Sequence, residues 1–283
     1  MKINLAKSAG FCFGVTRAVN IALKISKGKQ SVYMLGDIVH NEDVVKMLAR
    51  RGIKKVKGLS KNKKGIFLIS AHGIKLELLN KAKHDGYKIV DATCPMVKGI
   101  HKIVTRMDNQ GRKIIIIGDR NHAEVVGIGG QIKNKPVIIE KFDQINREGI
   151  DNIKKAAVVV QSTQDTEKIF KIKKALEKKI GDLKFFNTIC APTRVKQAEI
   201  RTLPKKNNLI IVIGSRKSAN TKRLFQIAKS LNPNTRWINT KSEIKKHWLK
   251  NIKSIGVTAG ASTPFDNIDS IIKHLKNLSG RFS

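Results

Sequence analysis

The chain has 283 residues, of which 41% are hydrophobic, and its formal net charge is +36. An apolar content of this size excludes a disordered polyelectrolyte and allows a substantial core. No apolar run approaches the roughly 20 residues that a membrane-spanning helix needs, and no leader segment is evident, so we expect a soluble, cytoplasmic protein. Its three cysteines are too few and too widely spaced for a disulfide framework, which leaves them available as reduced thiols for metal ligation.

The strong positive charge raises the alternative of a nucleic-acid-binding protein. The 57 basic residues are mostly lysine and are spread along all segments, whereas proteins that read bases and phosphates favour clustered arginine. Lysine, isoleucine and asparagine are abundant together, as an AT-rich coding bias produces. We therefore interpret the charge mainly as a solvated surface, which predicts no nucleic-acid partner but can attract an acidic electron-transfer protein.

The cysteines mark an internal repeat, because each stands at the end of a short segment and precedes a helical pattern. The cysteines are Cys12, Cys94 and Cys190, and the helical patterns cover 14–26, 96–109 and 192–202. A polar residue lies 28 positions after each cysteine, just beyond a strand-like run, and these runs cover 31–35, 114–117 and 209–213. These residues are His40, His122 and Ser218. Three equal offsets predict three structurally equivalent units.

A second set of polar loops follows further strand-like runs, which cover 66–70, 156–160 and 254–258. These runs lead into Ala71-His72-Gly73, Gln161-Ser162-Thr163 and Gly260-Ala261-Ser262. We predict an α/β fold of three similar domains, 1–95, 96–190 and 191–283, the last of which ends in a helix over 264–278. Ligands bind at the carboxyl ends of parallel strands. A pseudo-threefold trefoil around a central cofactor therefore explains the repeat.

Three thiolates, one from each unit, suggest an iron–sulfur cluster that lacks a fourth cysteine ligand. Such a cluster keeps one position open for a substrate oxygen, as catalytic metal sites do. Two alternatives stay open at this point: three unrelated buried thiols, and a zinc ion bound by three cysteines and a histidine. Structural zinc sites usually contain close Cys-x-x-Cys pairs, which this sequence lacks. The spacing therefore favours the cluster.

The polar loops contain the residue types that bind a diphosphate. His40, His72 and His122 each stand in a strand-end loop that precedes a helix, and Ser218 and Asn220 occupy a turn of the kind that binds anions. Taken singly, each histidine is equally well explained as a loop or cap residue, but their equivalent placement favours binding. No Rossmann or P-loop fingerprint is present, so neither a nicotinamide nor a flavin cofactor is indicated.

Glu124 follows His122 by two residues and is a candidate proton donor, provided that burial raises its pKa. The alternative interpretation is an ordinary first-turn carboxylate that the helix dipole stabilises. The local pattern does not choose between the two.

Seven short motifs stand in order along the chain: Gly10-Phe11-Cys12-Phe13-Gly14-Val15, Val39-His40-Asn41, Ser70-Ala71-His72-Gly73, Asp91-Ala92-Thr93-Cys94-Pro95, His122-Ala123-Glu124-Val125, Ile189-Cys190-Ala191 and Val257-Thr258-Ala259-Gly260-Ala261-Ser262. With these motifs the chain resembles the 4-hydroxy-3-methylbut-2-enyl diphosphate reductases, the last enzymes of the non-mevalonate isoprenoid pathway. The resemblance covers essentially the full length, and the order of seven motifs makes it highly specific.

The resemblance implies three α/β domains around one 4Fe-4S cluster, with Cys12, Cys94 and Cys190 as its ligands. It implies Glu124 as the proton donor. The residues that it places at the diphosphate are His40, His72, His122, Ser162, Thr163, Ser218, Asn220 and Ser262. The implied reaction is reductive dehydroxylation of 4-hydroxy-3-methylbut-2-enyl diphosphate to isopentenyl and dimethylallyl diphosphates. Two electrons would pass through the cluster from a ferredoxin or flavodoxin.

Four positions depart from the family pattern. Phe13 stands where alanine is usual, beside the first cysteine, which predicts different local packing. Ala219 replaces a serine and removes one hydroxyl group from the predicted diphosphate site. Ser162 replaces the first threonine of a Thr-Thr pair, and Val195 replaces an asparagine after the third cysteine. A related hydro-lyase, which uses an open cluster iron without net electron transfer, is a further alternative.

Overall fold

The computed structural model describes residues 1–60, 64–146 and 149–279. In this part of the chain, twelve strands alternate with nine α-helices. The strands are β1 (Lys2–Leu5), β2 (Val32–Leu35), β3 (Ile53–Val56), β4 (Ile66–Ile69), β5 (Lys88–Asp91), β6 (Lys113–Ile117), β7 (Val137–Ile139), β8 (Lys155–Val160), β9 (Asp182–Phe186), β10 (Leu209–Ile213), β11 (Thr235–Ile238) and β12 (Ser254–Ala259).

Helices connect almost all of these strands. The α-helices are α1 (Phe13–Ile25), α2 (Glu42–Arg50), α3 (Leu76–His84), α4 (Pro95–Asn109), α5 (Ala123–Gly129), α6 (Thr166–Lys179), α7 (Ala191–Thr202), α8 (Ala219–Leu231) and α9 (Phe265–Ser279). Short 3₁₀ helices cover Phe142–Asn146, Ile150–Asn152, Leu203–Lys206, Lys241–Glu243 and Lys246–Leu249. Among the described helices, none combines the length and the apolar character needed to cross a bilayer.

The strands form three parallel sheets of four strands each. The orders are β3-β2-β4-β5 in the first sheet, β7-β6-β8-β9 in the second and β11-β10-β12-β1 in the third. Numbered by position in the repeat, all three sheets have the same order, 2-1-3-4. The fourth strand of the third sheet is β1, which pairs with β12 so that Lys2 lies opposite Ser254. The N-terminal strand therefore completes the sheet of the C-terminal segment.

The inner strands are apolar at consecutive positions because helices cover both of their faces. In the second sheet, Ile114 and Ile116 pack with side chains of α4 and α5, whereas Ile115 and Ile117 pack with side chains of α6. The third sheet repeats this arrangement, with α9 on one face of β10 and α8 on the other. Full burial of a side chain of this size contributes about 1.5–3 kcal/mol to folding. These strands therefore form the cores on which the strand-end loops are mounted.

Contacts divide the described chain into two compact units. One, here called the terminal unit, comprises Met1–Val15, His40–Glu42 and the residues from Ala191 onward, and it contains the third sheet. The other, the central unit, comprises the described residues of 16–39 and 43–190 and contains the first and second sheets.

The predicted α/β fold class and its repetition are confirmed by three sheets with one strand order. The predicted strands agree with β2, β4, β6, β8, β10 and β12 to within one residue, and the predicted helices agree equally well with α1, α4, α7 and α9. The pairing of β1 with β12 was not foreseen. The domain limits at residues 95 and 190 stay predictions.

Candidate active site

The strand order 2-1-3-4 opens a crevice at the carboxyl edge of each sheet. The connections after strands 1 and 3 leave in opposite directions, because strand 2 lies on one side and strand 4 on the other. Ligands of parallel α/β sheets bind at such a switch point. The predicted polar residues follow these two strands in every sheet: His40 and His72 in the first, His122, Glu124, Ser162 and Thr163 in the second, and Ser218, Asn220 and Ser262 in the third.

Each cysteine follows the fourth strand of a sheet and stands immediately before the first residue of α1, α4 or α7. Its backbone N–H donates to the carbonyl of the residue two positions beyond the third strand of the same sheet. These hydrogen bonds run from Cys12 to Ala261 at 3.2 Å, from Cys94 to Ala71 at 3.0 Å and from Cys190 to Ser162 at 3.0 Å. The same bond therefore ties each cysteine to a loop in which substrate-binding residues are predicted.

The three cysteines suit a thiolate-ligated group. All are half-buried, and none of them forms a disulfide. Each stands at the N-terminus of a helix of 12 to 15 residues, where the helix dipole favours negative charge. Soft thiolate donors select iron–sulfur clusters or zinc. Cys94 and Cys190 belong to the central unit, and Cys12 belongs to the terminal unit.

Glu124 is a buried carboxyl group held by one residue of the neighbouring loop, and it is 2% exposed. The backbone N–H of Ser162 donates to Oε1 at 2.6 Å, and the Ser162 hydroxyl donates to Oε2 at 2.7 Å. Burial raises the pKa of Glu124; the two hydrogen bonds from Ser162 oppose that shift, and Asp119 adds to it. Because a hydroxyl group both donates and accepts, Ser162 remains a partner when Glu124 is protonated. These properties suit a proton donor.

His72 and His122 follow strands of different sheets, and their rings lie together. The ring centroids are 5.5 Å apart, with the planes at 85°. His122 is also the N-cap of α5, where its Nδ1 accepts the backbone N–H of Glu124 at 3.2 Å. The neutral ring therefore carries its proton on Nε2. That tautomer offers an N–H donor of the kind that a diphosphate oxygen accepts.

The loop that carries His72 approaches His101 of α4 closely. Gly73 has φ +79°, and a Cβ atom at this position would lie 2.7 Å from Cε1 of His101, so the loop requires glycine. Burial lowers the pKa of His101 to about 4, and its Nε2 is buried without a hydrogen-bond partner in the described chain. The ring is therefore neutral near pH 7. Sequence reasoning missed this residue, although its spacing, four positions after Val97 in the predicted helix 96–109, places both on one face of that helix.

In the terminal unit, Ser218 and Asn220 lie at the start of α8. The Ser218 hydroxyl accepts the N–H of Thr221 at 3.3 Å and caps the helix. Asn220 is 4% exposed, and neither polar atom of its amide has a partner among the described residues. Leaving such a group unsatisfied costs about 1–3 kcal/mol, so this amide suits a bound polar ligand. Ser262 donates its hydroxyl to the His40 carbonyl at 3.0 Å, which brings these two predicted residues together.

Residues that hold these loops were not foreseen. The Gln161 side chain donates to the Thr163 hydroxyl at 3.2 Å and accepts the N–H of Asp119 at 2.8 Å, so it joins the loops after β6 and β8. Arg17 donates to the carbonyl of Thr93 at 3.1 Å, next to the second cysteine. Arg17 binds a backbone carbonyl, and Gln161 binds a backbone N–H as well as a hydroxyl group; a contact between a side chain and a distant backbone group leaves no pattern in the sequence.

The four departures from the family pattern occupy different settings. The side chains of Phe13 and Val195 are 70% and 55% exposed, so neither fills the interior beside a cysteine. Ala219 is buried as the first residue of α8. Ser162 keeps the hydroxyl group that a threonine would supply, and that group binds Glu124.

Known proteins match this arrangement along almost the entire chain. The family model described as LytB protein matches residues 3–276. The 4-hydroxy-3-methylbut-2-enyl diphosphate reductase of Clostridioides difficile (strain 630) is 38% identical over 281 residues, which cover 98% of this chain and 100% of that protein. The solved structure of the E-1-hydroxy-2-methyl-but-2-enyl-4-diphosphate reductase from Plasmodium falciparum matches with a TM-score of 0.90 at 29% identity, over 97% of this chain and 88% of that chain.

A second solved structure is described as (E)-4-hydroxy-3-methyl-but-2-enyl diphosphate reductase, the terminal enzyme of the non-mevalonate pathway. It matches with a TM-score of 0.70 at 32% identity, over 98% of this chain and 100% of that chain.

Proposed function

This chain belongs to the LytB family, in which its curated relatives are 4-hydroxy-3-methylbut-2-enyl diphosphate reductases, and on that premise we propose how its own residues carry out the reaction. The chain is an oxidoreductase of isoprenoid biosynthesis. It converts 4-hydroxy-3-methylbut-2-enyl diphosphate to isopentenyl and dimethylallyl diphosphates, the terminal step of the non-mevalonate pathway. The reaction consumes two electrons and two protons: one proton leaves with the hydroxyl group as water, and the other adds to carbon.

The buried carboxyl group of Glu124 is the observation that carries the proposal. A hydroxyl group leaves readily only after it receives a proton, and the donor must hold that proton near the working pH. Burial raises the pKa of Glu124 and so favours its protonated form. Ser162 orients the carboxyl group from two sides. Glu124 is therefore assigned the role of donating the proton that leaves with the hydroxyl group as water.

Cys12, Cys94 and Cys190 are assigned as the ligands of one 4Fe-4S cluster. Their equivalent hydrogen bonds and their positions at helix N-termini support this assignment. When bound, such a cluster supplies electrons one at a time and offers an iron with an open coordination position. Zinc, the other metal that suits soft thiolate donors, has no redox chemistry. Because reduction of the substrate requires electron transfer, we assign the three thiolates to the cluster rather than to zinc.

The diphosphate is assigned to the polar loops at the three sheet edges. The proposed binding residues are His40, His72, His122, Ser162, Thr163, Ser218, Asn220 and Ser262. Two observations support the set: the His122 tautomer with its proton on Nε2, and the buried amide of Asn220 without a partner in the described residues. The N-terminus of α8, a helix of 13 residues, adds a positive dipole end beside Ser218. Ser162 acts at this site by holding Glu124.

A ferredoxin or flavodoxin is the proposed electron donor. Both are acidic electron carriers, and the net charge of +36 favours association with an acidic partner. We place the protein in the cytoplasm, since a reducing compartment keeps the three thiols available for ligation.

An anaerobic assay with reduced methyl viologen tests the proposal. The reconstituted chain is expected to oxidise two equivalents of viologen for each isopentenyl or dimethylallyl diphosphate formed. A Glu124→Gln variant with an intact cluster serves as the control that lacks the proton donor. Elimination of water from the substrate, or addition of water to its double bond, without oxidation of viologen and without either of these two products, would instead identify a hydro-lyase. Absence of turnover, together with salt-dependent binding of duplex DNA or of RNA, would support the alternative of a nucleic-acid-binding protein.

A further inference from the structure

The helix that follows the third cysteine has a polar buried face. In α7, the buried residues are Thr193, Lys196, Gln197 and Ile200. Positions with this spacing normally carry the apolar stripe of an amphipathic helix. A buried ammonium group is costly unless its donors are satisfied. The hydrogen-bond partners of Lys196 therefore identify the part of the chain that this face of α7 contacts.

Lys196 is 2% exposed, and its ammonium group contacts three backbone carbonyls. Nζ donates to Gly10 at 2.9 Å and to Ala259 at 3.4 Å, and it also donates closely to Ser8. Three carbonyls match the three N–H donors of an ammonium group. Two of these acceptors precede Cys12 by only two and four residues, so the charge is buried against the loop that leads to this cysteine.

Glu199, on the same helix, holds the donors of that loop. Its Oε1 accepts the N–H of Lys7 at 2.6 Å, and its Oε2 accepts the N–H of Ser8 at 2.9 Å and also the Ser8 hydroxyl. Burial opposes ionisation of Glu199, but these hydrogen bonds and Lys196 outweigh it and hold its pKa below the ordinary value. Lys196 and Glu199 thus bind complementary groups of the loop. Lys196 donates to its backbone carbonyls, and Glu199 accepts its backbone N–H groups.

The opposite side of this loop is also confined. Gly10 has φ +93°, and a Cβ atom there would lie 3.1 Å from Cδ1 of Ile268. The N–H of Cys12 donates to Ala261 at 3.2 Å. Contacts with α7, α9 and the end of β12 therefore confine the loop. In the contacts given above, the charged side chains that bind the loop all belong to α7.

We propose that Lys196 and Glu199 form a clamp on residues 7–10 that holds Cys12 in position to bind the iron–sulfur cluster. The buried charge of Lys196 also compensates the negative charge that the cluster and its thiolates bring. This inference rests on the proposed function, in which Cys12 is a ligand. Helix α7 begins directly after Cys190, another proposed ligand. The helix that follows one ligand therefore holds the loop that leads to a second ligand, Cys12. Lys196 and Glu199 are positioning residues.

Two variants separate the clamp from a general role in folding. Lys196→Gln removes a positive charge, and Glu199→Ala removes a negative charge, so their effects on the reduction potential of the cluster should have opposite signs. Lys196→Arg keeps the charge. Lys273→Gln is the matched control, because this exposed lysine lies on α9 of the same unit and loses the same charge. The measurements are the midpoint potential, the rate of cluster loss to a chelator, and amide hydrogen exchange of the full chain.

The clamp predicts that Lys196→Gln shifts the potential to more negative values and Glu199→Ala to more positive values. Both variants should lose the cluster at least about tenfold faster than the wild type, since each removes charged hydrogen bonds. Lys196→Arg and Lys273→Gln should stay close to the wild type. Exchange at the amides of Lys7 and Ser8 should accelerate in Glu199→Ala.

Unchanged potentials and unchanged cluster loss in both variants would overturn the clamp. If Lys196→Gln does not fold, Glu199→Ala decides the question through its midpoint potential, its rate of cluster loss and the exchange at the amides of Lys7 and Ser8. A wild-type chain that binds no cluster would contradict the proposed function instead. In that case the exchange at Lys7 and Ser8 still reports whether Glu199 holds the loop, so the two failures are distinguishable.

Discussion

Ser162 holds both carboxyl oxygens of Glu124, one through its backbone N–H at 2.6 Å and the other through its hydroxyl at 2.7 Å. The carbonyl of the same serine accepts the N–H of Cys190 at 3.0 Å. One residue therefore connects a proposed cluster ligand with the proposed proton donor. A change in the loop after β8 should affect both groups.

Replacement of Ser162 by alanine should move the alkaline limb of the kcat profile. The Ser162 hydroxyl lowers the pKa of Glu124, so its loss raises that pKa further and keeps the acid protonated to higher pH. The maximal rate should fall about tenfold, because the acid is less well oriented. Ser162→Thr is the matched control, since it keeps the hydroxyl and should behave like the wild type. An alkaline limb that does not move in Ser162→Ala would contradict the coupling.

Glu124→Gln should abolish most turnover without loss of substrate binding. A positioned general acid contributes about 10²–10⁴-fold to a rate, so kcat should fall within that range. In the wild type, turnover should decline as the pH rises through the raised pKa of Glu124, because the donor loses its proton. The measurements are kcat as a function of pH and substrate affinity under non-turnover conditions. A variant within a few-fold of wild-type kcat would assign the proton to another group.

His101 should make the folded chain sensitive to acid. Its pKa is about 4 in the folded protein, against 6.5 for the ordinary side chain, so the unfolded chain binds the proton first as the pH falls. Stability should drop between pH 6.5 and pH 4, by up to about 3 kcal/mol. His101→Gln should flatten this part of the pH profile of unfolding, whereas His247→Gln, at an exposed position, should not. Parallel profiles for His101→Gln and the wild type would contradict the prediction.

Asn220→Ala should raise KM for the diphosphate with little change in stability. The amide of Asn220 has no partner among the described residues, so alanine removes no hydrogen bond in the absence of ligand. A hydrogen bond to a charged ligand contributes about 1.5–3 kcal/mol, which corresponds to an increase in KM of about 10- to 150-fold. Asn232→Ala is the contrast, because that amide donates to two backbone carbonyls and its loss should reduce stability but not affinity. An unchanged KM in Asn220→Ala would remove this residue from the site.

Much of this architecture was predictable because its signals are local. The inner strands are apolar at consecutive positions, as in β10, and the equal offsets from the cysteines fixed the repeat. Strand β1 was different: it has four residues, with only its middle two partly buried, and it pairs with a strand some 250 positions away. No periodic pattern marks such a strand, and its partner is set by the tertiary fold.

In the candidate site, too, features with local sequence signals were predictable, and features that depend on the tertiary fold were not. The placement of polar side chains after the strands was predictable from residue type and position, and their roles stay predictions. For Glu124 the local pattern left two interpretations; the family resemblance implied the proton donor, and the burial of the carboxyl group supports that role. Lys196 and Glu199 were missed for a physical reason. Apart from the Ser8 hydroxyl, the partners described for them are backbone groups, and polar residues on a helix are normally expected to face solvent. A polar face of this kind is therefore not recognisable as buried from the sequence, although the structure buries Lys196.

The most direct measurement is iron and acid-labile sulfide per chain after anaerobic reconstitution, in the wild type and in Cys12→Ser, Cys94→Ser and Cys190→Ser. We expect about four irons and four sulfides for the wild type and a clear deficit in each variant, because all three thiolates are proposed ligands. Stoichiometric zinc without sulfide in the wild type, or a full cluster in any of the three variants, would contradict it.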